Sequence, residues 1–300
     1  MTTEHGGEEK AGRLRVGVDS AVVLGPGGPA GTAWLAGLAE GLRREGVDLG
    51  AADLIVGTSA GAIVGSILAS GGDLARLAAL PALPAPADPG GRVRTDQDRL
   101  AEVFATLGDP GLERAGALRR AGRLAVIAST GTQEAAIARM RFLVGAVQWP
   151  ERPLLIPSVD AETGEAVIWD RHGAASLPQA VAASTAFPAT APPITIDGRR
   201  YIDGALRAGT NLDLAGDARV VIVAEPMAHV YDTSSAAAGA QEVVRLVPDA
   251  DAIKVLGPDL TAWVPAYQAG VRQAPSVAER IVREITAALN AQVAEHQKGR

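Results

Sequence analysis

Residues 54–61 read Leu-Ile-Val-Gly-Thr-Ser-Ala-Gly, a stretch in which a short apolar run meets a serine flanked by glycines. Three consecutive apolar residues are typical of a strand that is buried inside a parallel sheet. After the serine, apolar residues recur at helical spacing until Gly71. The stretch therefore predicts a strand, a tight turn and a helix, which is the setting of a nucleophile elbow with Gly57 and Gly61 on either side of Ser59.

A second strand, loop and helix precede this unit. An apolar run that ends at Leu24 predicts the strand, and the glycine-rich residues 25–31 predict the loop. An amphipathic pattern from Trp34 to Glu45 then predicts the helix. Two such units in close succession predict an α/β fold.

The glycine loop is suited to binding a negatively charged oxygen. Gly27, Gly28 and Gly31 carry no side chain that would cover their backbone N–H groups, and the predicted helix N-terminus lies beside them. The loop is therefore a candidate oxyanion hole. The alternative is a phosphate cradle for a nucleotide, but no Lys-Ser or Lys-Thr pair follows the loop as in a P-loop.

The rest of the chain predicts a helical segment and then a return of the sheet. Residues 1–14 are polar and predict a disordered tail, so we expect a single domain over 15–300. Prolines from residue 81 onwards interrupt the pattern, and the sequence up to about 150 predicts a helical insertion. We expect further strands at 154–156, 166–169, 194–196, 201–202 and 220–223, and a last helix from Pro275 towards Gln292.

The composition excludes several classes of function. The 28 Lys and Arg against 34 Asp and Glu give a net charge of −6, so nucleic acid is not an expected partner. The absence of cysteine excludes a thiol nucleophile, a disulfide framework and a thiolate metal site, and we expect no cofactor. A polar amino terminus and the lack of a long apolar run predict a soluble, cytoplasmic protein.

Ser59 needs a base, and the sequence offers several candidates. His172 and His229 are suitable by chemistry. Residues 201–205 read Tyr-Ile-Asp-Gly-Ala, which puts Asp203 after a short strand, where it can point over the sheet edge towards Ser59. The common alternative for an Asp-Gly pair is a simple turn. Three other carboxylates lack this context: Asp160, Asp170 and Asp232.

Three motifs in order resemble the patatin-like phospholipases: GPGGPAG at 25–31, GTSAG at 57–61 and DGA at 203–205. The segment ASTAFP at 183–188 also resembles the part of that family that precedes its aspartate. The resemblance implies a three-layer α/β/α fold with a mostly parallel central sheet. It also implies a Ser–Asp dyad that works without histidine.

The resemblance implies a role for each motif. Ser59 is the implied nucleophile, Asp203 is the implied base, and the N–H groups of Gly27, Gly28 and Ala60 are the implied oxyanion donors. The other motif residues are Gly31, Gly57, Gly61 and Gly204. The implied activity is hydrolysis of a phospholipid or another fatty-acyl ester, of phospholipase A or carboxylesterase type, at a transient membrane or micelle interface.

The glycine loop departs from the family pattern, and other functions use the same scaffold. The family's loop usually reads Gly-Gly-Gly-x-Arg/Lys-Gly, whereas here Pro26 replaces the first glycine and Ala30 replaces the basic residue. Alternatives are an acyltransferase or thioesterase with the same elbow, and a lipid-binding or nucleotide-binding module without catalysis. Six apolar residues are candidates for either an acyl-chain pocket or ordinary core: Phe104, Leu107, Leu118, Leu124, Phe142 and Val147.

Overall fold

The computed structural model describes residues 20–80, 82, 94–128, 130–229, 242–257 and 260–298, with side chains up to residue 286. The predicted tail at 1–14 and the candidate base Asp232 lie outside these residues. The strands are β1 Ser20–Leu24, β2 Leu54–Gly57, β3 Leu154–Asp160, β4 Ala166–Trp169, β5 Ile194–Ile196, β6 Arg199–Asp203, β7 Val220–Ala224 and β8 Glu242–Leu246. The helices are α1 Gly28–Arg44, α2 Ala60–Ala69, α3 Gln97–Leu107, α4 Arg114–Ile127, α5 Gln133–Val144, α6 Leu177–Ser184, α7 Ala205–Ala208, α8 Ala250–Ile253 and α9 Trp263–Lys298.

One sheet contains the eight strands of the described residues, in the order β5-β6-β3-β2-β1-β7-β8, with β4 paired to β3. β1 lies parallel to β2 on one side and to β7 on the other. The β2–β3 and β7–β8 pairs are also parallel, whereas β3 pairs antiparallel with β4 and β6. The predicted α/β class with a mostly parallel central sheet is therefore confirmed.

Helices cover both faces of this sheet. In β1, Val22 and Leu24 point into the core beneath α1, α2, α6 and α9, whereas Ala21 and Val23 point into a second core on the opposite face. That second face is covered by the 3-10 helix Leu212–Ala215 and, over β3 and β6, by α4 and α7. The three-layer arrangement is confirmed.

Helices α3, α4 and α5 occupy the segment in which the helical insertion was predicted. α3 packs on α4, and the α4 side chains join the core that covers β3 and β6. α5 instead packs on α2 and α6 on the other face of the sheet. These helices therefore pack against the central sheet and its other helices, so the insertion is part of the same packed structure.

α1 and α9 pack at backbone contact distance. A Cβ atom added to Gly37 would lie 2.0 Å from the carbonyl oxygen of Tyr267, and one added to Gly270 would lie 2.3 Å from that of Trp34. The indole N–H of Trp34 also donates to the side-chain oxygen of Gln273 at 3.1 Å. Close backbone packing and this hydrogen bond therefore hold α9 against α1, the helix that follows the glycine loop.

The predicted start of this last helix at Pro275 is wrong, because α9 already begins at Trp263. Pro265 and Gly270 look like helix breakers in the sequence. However, Pro265 lies in the first turn, where its missing N–H is not needed, and Gly270 is required by the packing against α1. Among the described helices, none is both long enough and apolar enough to cross a bilayer.

Candidate active site

The loops that carry the candidate residues meet at one edge of the sheet. Leu24, the last residue of β1, lies opposite Gly57 of β2 and Ala224 of β7. Just beyond this line, the N–H of Gly25 donates to Ala224 and the N–H of Thr58 donates to Leu24, each at 2.9 Å to the carbonyl oxygen. These bonds hold the glycine loop and the elbow together at the carboxyl ends of the strands, where α/β sheets commonly bind ligands.

Ser59 occupies a sharp turn between β2 and α2. Its backbone has φ 54° and ψ −114°, a left-handed conformation that costs free energy in a residue other than glycine. α2 begins at the next residue, Ala60, so the N-terminus of a buried helix adjoins the serine. The side chain of Ser59 is almost enclosed, with the residue 8% exposed. This geometry is that of a nucleophile elbow.

The two glycines of the elbow are required by close backbone packing. A Cβ atom at Gly61 would lie 1.9 Å from the carbonyl oxygen of Leu24. One at Gly57 would lie 2.5 Å from the carbonyl oxygen of Gly61. The spacing of the motif therefore reflects the approach of α2 to the ends of β1 and β2.

The structure brings Asp203 to Ser59. Asp203 ends β6 opposite Ser158 of β3, which runs past the end of β2. The hydroxyl of Ser59 donates to Oδ2 of Asp203 at 2.9 Å, and the N–H of Ala205 donates to Oδ1 at 2.8 Å. A Cβ atom at Gly204 would lie 2.1 Å from the carbonyl oxygen of Pro157, so the residue after Asp203 has to be glycine.

Burial raises the pKa of Asp203 to about 7, although the hydrogen bonds from Ala205 and Ser59 act in the opposite direction. Only 2% of the residue is exposed, so the ionised form is poorly solvated. A carboxylate of this kind accepts a proton much more readily than an exposed aspartate does. Its titration near neutral pH suits it to the role of a general base.

The candidate oxyanion donors lie around the start of α1 and α2. In the described part of the chain, the N–H groups of Gly27, Gly28 and Ala60 have no hydrogen-bond acceptor. Gly28 is exposed, and its φ of 59° suits glycine. The prediction that Gly31 presents a free N–H is wrong, because α1 starts at Gly28 and this N–H donates to the carbonyl of Gly27 at 2.9 Å.

Sequence reasoning missed Ser184, which contacts Ser59. Ser184 is the last residue of α6 and is fully buried, and its hydroxyl oxygen accepts the N–H of Ser59 at 3.0 Å. The N–H of Ser59 is thus occupied, whereas that of Ala60 is not. The segment 183–188 had drawn attention only through its resemblance, and a single serine in an alanine-rich stretch gives no further signal.

Among the described residues, the other candidate bases form no hydrogen bond with Ser59. Asp160 accepts the N–H groups that follow it in the β3–β4 turn and forms an ion pair with Arg199 at 2.8 Å. Burial raises its pKa, but the N–H bonds and the arginine outweigh this effect and lower it. Asp170 accepts the N–H of His172, and both His172 and His229 are exposed. Within the residues described, no group of acidic and histidine side chains is arranged to hold a metal ion.

The six apolar residues proposed for a pocket do not share a cavity wall. Leu118 and Leu124 are buried in the cores beneath α4, which Leu107 borders. Phe142 and Val147 are surface residues at and after the end of α5, on the opposite face. Phe104 is half exposed, with its ring 5.8 Å from that of Phe187.

Comparison with known proteins identifies one family, and the similar solved structures include the two described here. A family model described as patatin-like phospholipase matches residues 22–215. The crystal structure of VipD from Legionella pneumophila is 14% identical, with a TM-score of 0.47, over 88% of this chain and 67% of that chain. The crystal structure of type III effector protein ExoU is 17% identical, with a TM-score of 0.35, over 93% of this chain and 61% of that chain. The segment matched by the family model contains the glycine loop, the elbow and the Asp-Gly turn.

Proposed function

The chain belongs to the patatin-like phospholipase family, as its motifs indicated. We therefore propose that it is a serine lipid acyl hydrolase, with Ser59 and Asp203 as its catalytic dyad. The substrate is a phospholipid or another fatty-acyl ester. The observation that carries this proposal is the 2.9 Å hydrogen bond from the Ser59 hydroxyl to Asp203, formed in a strained turn at a helix N-terminus. Three unpaired backbone N–H groups nearby support it.

In the first half of the reaction, Ser59 is acylated. Oγ attacks the ester carbonyl carbon while its proton passes to Oδ2 of Asp203 along the existing hydrogen bond. The N–H groups of Gly27, Gly28 and Ala60 stabilise the oxyanion of the tetrahedral intermediate, at roughly 3 kcal/mol for each well-placed donor. The intermediate then collapses, and the leaving alcohol takes the proton from Asp203.

In the second half of the reaction, water releases the acyl group. Asp203 removes a proton from the attacking water, and a second tetrahedral intermediate forms in the same oxyanion hole. Its collapse breaks the bond to Oγ, and Asp203 returns the proton to Ser59. The products are a free fatty acid and the regenerated enzyme.

The direct test is covalent labelling of Ser59. A long-chain fluorophosphonate should modify Ser59 of the wild type, as located by mass spectrometry, and Ser59→Ala should abolish both labelling and turnover of p-nitrophenyl esters. Circular dichroism checks that the variant is folded. If the folded wild type is not labelled in any lipid or detergent, the hydrolase proposal is wrong and a non-catalytic binding module is favoured.

Labelling of Ser59 does not distinguish hydrolysis from transfer of the acyl group to another acceptor, but analysis of the products does. With phospholipid vesicles as substrate, we expect release of free fatty acid with water as the only acceptor. Addition of an alcohol or a thiol should divert only a minor share of the acyl groups. Transfer to an added acceptor in preference to water would identify an acyltransferase and contradict hydrolysis as the main activity.

The pKa of Asp203 predicts the pH dependence of turnover. Because the base must be ionised and its pKa is about 7, kcat/KM should rise about tenfold per pH unit in the acidic range and level off above about pH 8. The measurement is esterase activity between about pH 5 and about pH 9, corrected for spontaneous hydrolysis. A rate that is already constant from about pH 5 would show that Asp203 has an ordinary carboxyl pKa in the working enzyme.

A further inference from the structure

A buried asparagine lies behind the candidate dyad. Asn211 is fully buried, with the left-handed backbone conformation φ 58° and ψ 39° that asparagine tolerates. Its side-chain nitrogen donates to Oγ1 of Thr58 and to the carbonyl oxygen of Gly204, each at 3.0 Å, and lies 3.1 Å from the carbonyl oxygen of Gly209. This amide therefore connects two loops that are far apart in the sequence.

The orientation of the amide is fixed from both ends. Arg207 donates to the side-chain oxygen of Asn211 at 2.8 Å, so the NH₂ group faces the three oxygen acceptors. The hydroxyl of Thr58 in turn donates to the carbonyl of Thr210 at 3.4 Å. This directs the Thr58 proton away from Asn211 and leaves a lone pair for the amide N–H.

The two loops joined by Asn211 are those that carry the dyad. Thr58 is bonded directly to Ser59, and Gly204 is bonded directly to Asp203. No other side chain of the described residues donates to both loops. A shift of either loop would lengthen the 2.9 Å hydrogen bond between the serine and the aspartate.

Resting on the proposed function, we infer that Asn211 is a positioning residue, whose buried amide ties the elbow to the Asp-Gly turn and so keeps Ser59 within hydrogen-bond distance of Asp203. It does not touch the reacting atoms. Its contribution belongs to kcat and to the reactivity of Ser59, and it adds nothing to substrate binding. A displacement of about 1 Å in such a pair lowers rates by roughly a hundredfold.

The experiment uses Asn211→Gly, which keeps the left-handed backbone free of strain and removes the side chain that joins the two loops. We expect kcat and the labelling rate of Ser59 per folded molecule to fall about 10- to 100-fold, with KM within about twofold of the wild type. Thr58→Val removes the acceptor with little change of shape and should cause a similar loss. The double variant should be about as slow as either single variant, because each change breaks the same hydrogen-bonded connection between the two loops.

A matched control is a second buried amide that joins two elements. Gln273 accepts the indole N–H of Trp34 and donates to the carbonyl of Val247 at 2.7 Å, in the packing of α9. Gln273→Met should lower Tm and leave kcat of the folded protein unchanged. If Asn211→Gly behaves in the same way, or if the two site variants add in full, the positioning role is wrong.

Amide hydrogen exchange tests the inference without relying on activity. In Asn211→Gly, protection should fall in the peptides that contain Ser59 and Ala205, whose N–H groups bond to Ser184 and Asp203. Gln273→Met should not change these peptides. Unchanged protection in these peptides would overturn the inference, whether or not the protein turns over an acyl substrate. If protection falls as expected but the wild type is not labelled by fluorophosphonate, only the proposed function is contradicted.

Discussion

Replacement of Asp203 by asparagine is expected to abolish ester turnover and, at alkaline pH, to stabilise the fold. The asparagine fits the same site, since its oxygen can accept the N–H of Ala205 and its nitrogen can donate to Oγ of Ser59. It cannot accept the serine proton, so we expect kcat to fall about a thousandfold or more. Esterase assays and fluorophosphonate labelling measure this loss.

The gain in stability follows from the raised pKa of Asp203. The folded-state pKa of about 7 lies above the value of about 3.9 in an unfolded chain, so folding favours the protonated carboxyl. This contribution to the free energy of unfolding is fully present below about pH 4 and is lost as the pH rises through about 7. Asparagine does not ionise, and Asp203→Asn should therefore exceed the wild type above about pH 7 by on the order of 2 kcal/mol.

Ser59→Ala is the matched control for this pair of effects. It should be equally inactive, but it keeps the buried carboxylate, and its free energy of unfolding should still decline between about pH 4 and about pH 7. Urea unfolding at several pH values gives the comparison. Substantial turnover in Asp203→Asn would remove Asp203 from the role of base, and equal pH dependence in all three proteins would show that its carboxylate is not buried as described.

Gly61→Ala is expected to disrupt the elbow. The added Cβ atom would lie 1.9 Å from the carbonyl oxygen of Leu24, which belongs to a central strand and cannot move aside. α2 would have to move away from β1, carrying Ser59 with it. We expect a loss of about 3 kcal/mol or more in the free energy of unfolding and no measurable turnover in whatever protein folds.

Gly65→Ala, one turn later in the same helix, separates this clash from a general effect of alanine. Its Cβ atom would lie 3.1 Å from a methyl carbon of Ile55, a contact that a small side-chain shift relieves. The gain in helix propensity offsets the crowding, so stability should stay within about 1 kcal/mol of the wild type, with activity retained. Wild-type turnover in Gly61→Ala would contradict the close approach of α2 to β1.

Local patterns in the sequence predicted the order of elements at the site. A short apolar strand, a glycine-flanked turn and a helix are encoded by adjacent residues around Ser59. The structure contains these elements where the sequence indicated. A strand over residues 201–202, directly before Asp203, was also predicted, and the sequence suggested that Asp203 could point over the sheet edge towards Ser59. In the structure this strand is antiparallel to β3, and Asp203 reaches Ser59 because β3 extends beyond the end of β2. The family resemblance then supplied roles that spacing cannot supply.

Contacts between distant segments explain what the sequence did not predict. Asn211 contacts Thr58 from 153 positions further along the chain, and Ser184 contacts Ser59 from 125 positions further along. Neither residue stands in a distinctive local pattern. The start of α9 was missed because Gly270 weakens the helical pattern, although its packing against α1 requires glycine. β8 was missed because its apolar residues are interrupted by charge.

The position of β1 bears on any attempt to express the family-matched segment by itself. β7, which pairs with β1 along five residues, lies beyond residue 215, where the match ends. A fragment of residues 22–215 would expose that side of β1 as an unpaired edge, a known starting point for aggregation. It would also lack Ala224, which accepts the N–H of Gly25, and Pro226, which packs against Gly27. We therefore expect such a fragment to form insoluble protein, because the family-matched segment is not by itself a folding unit.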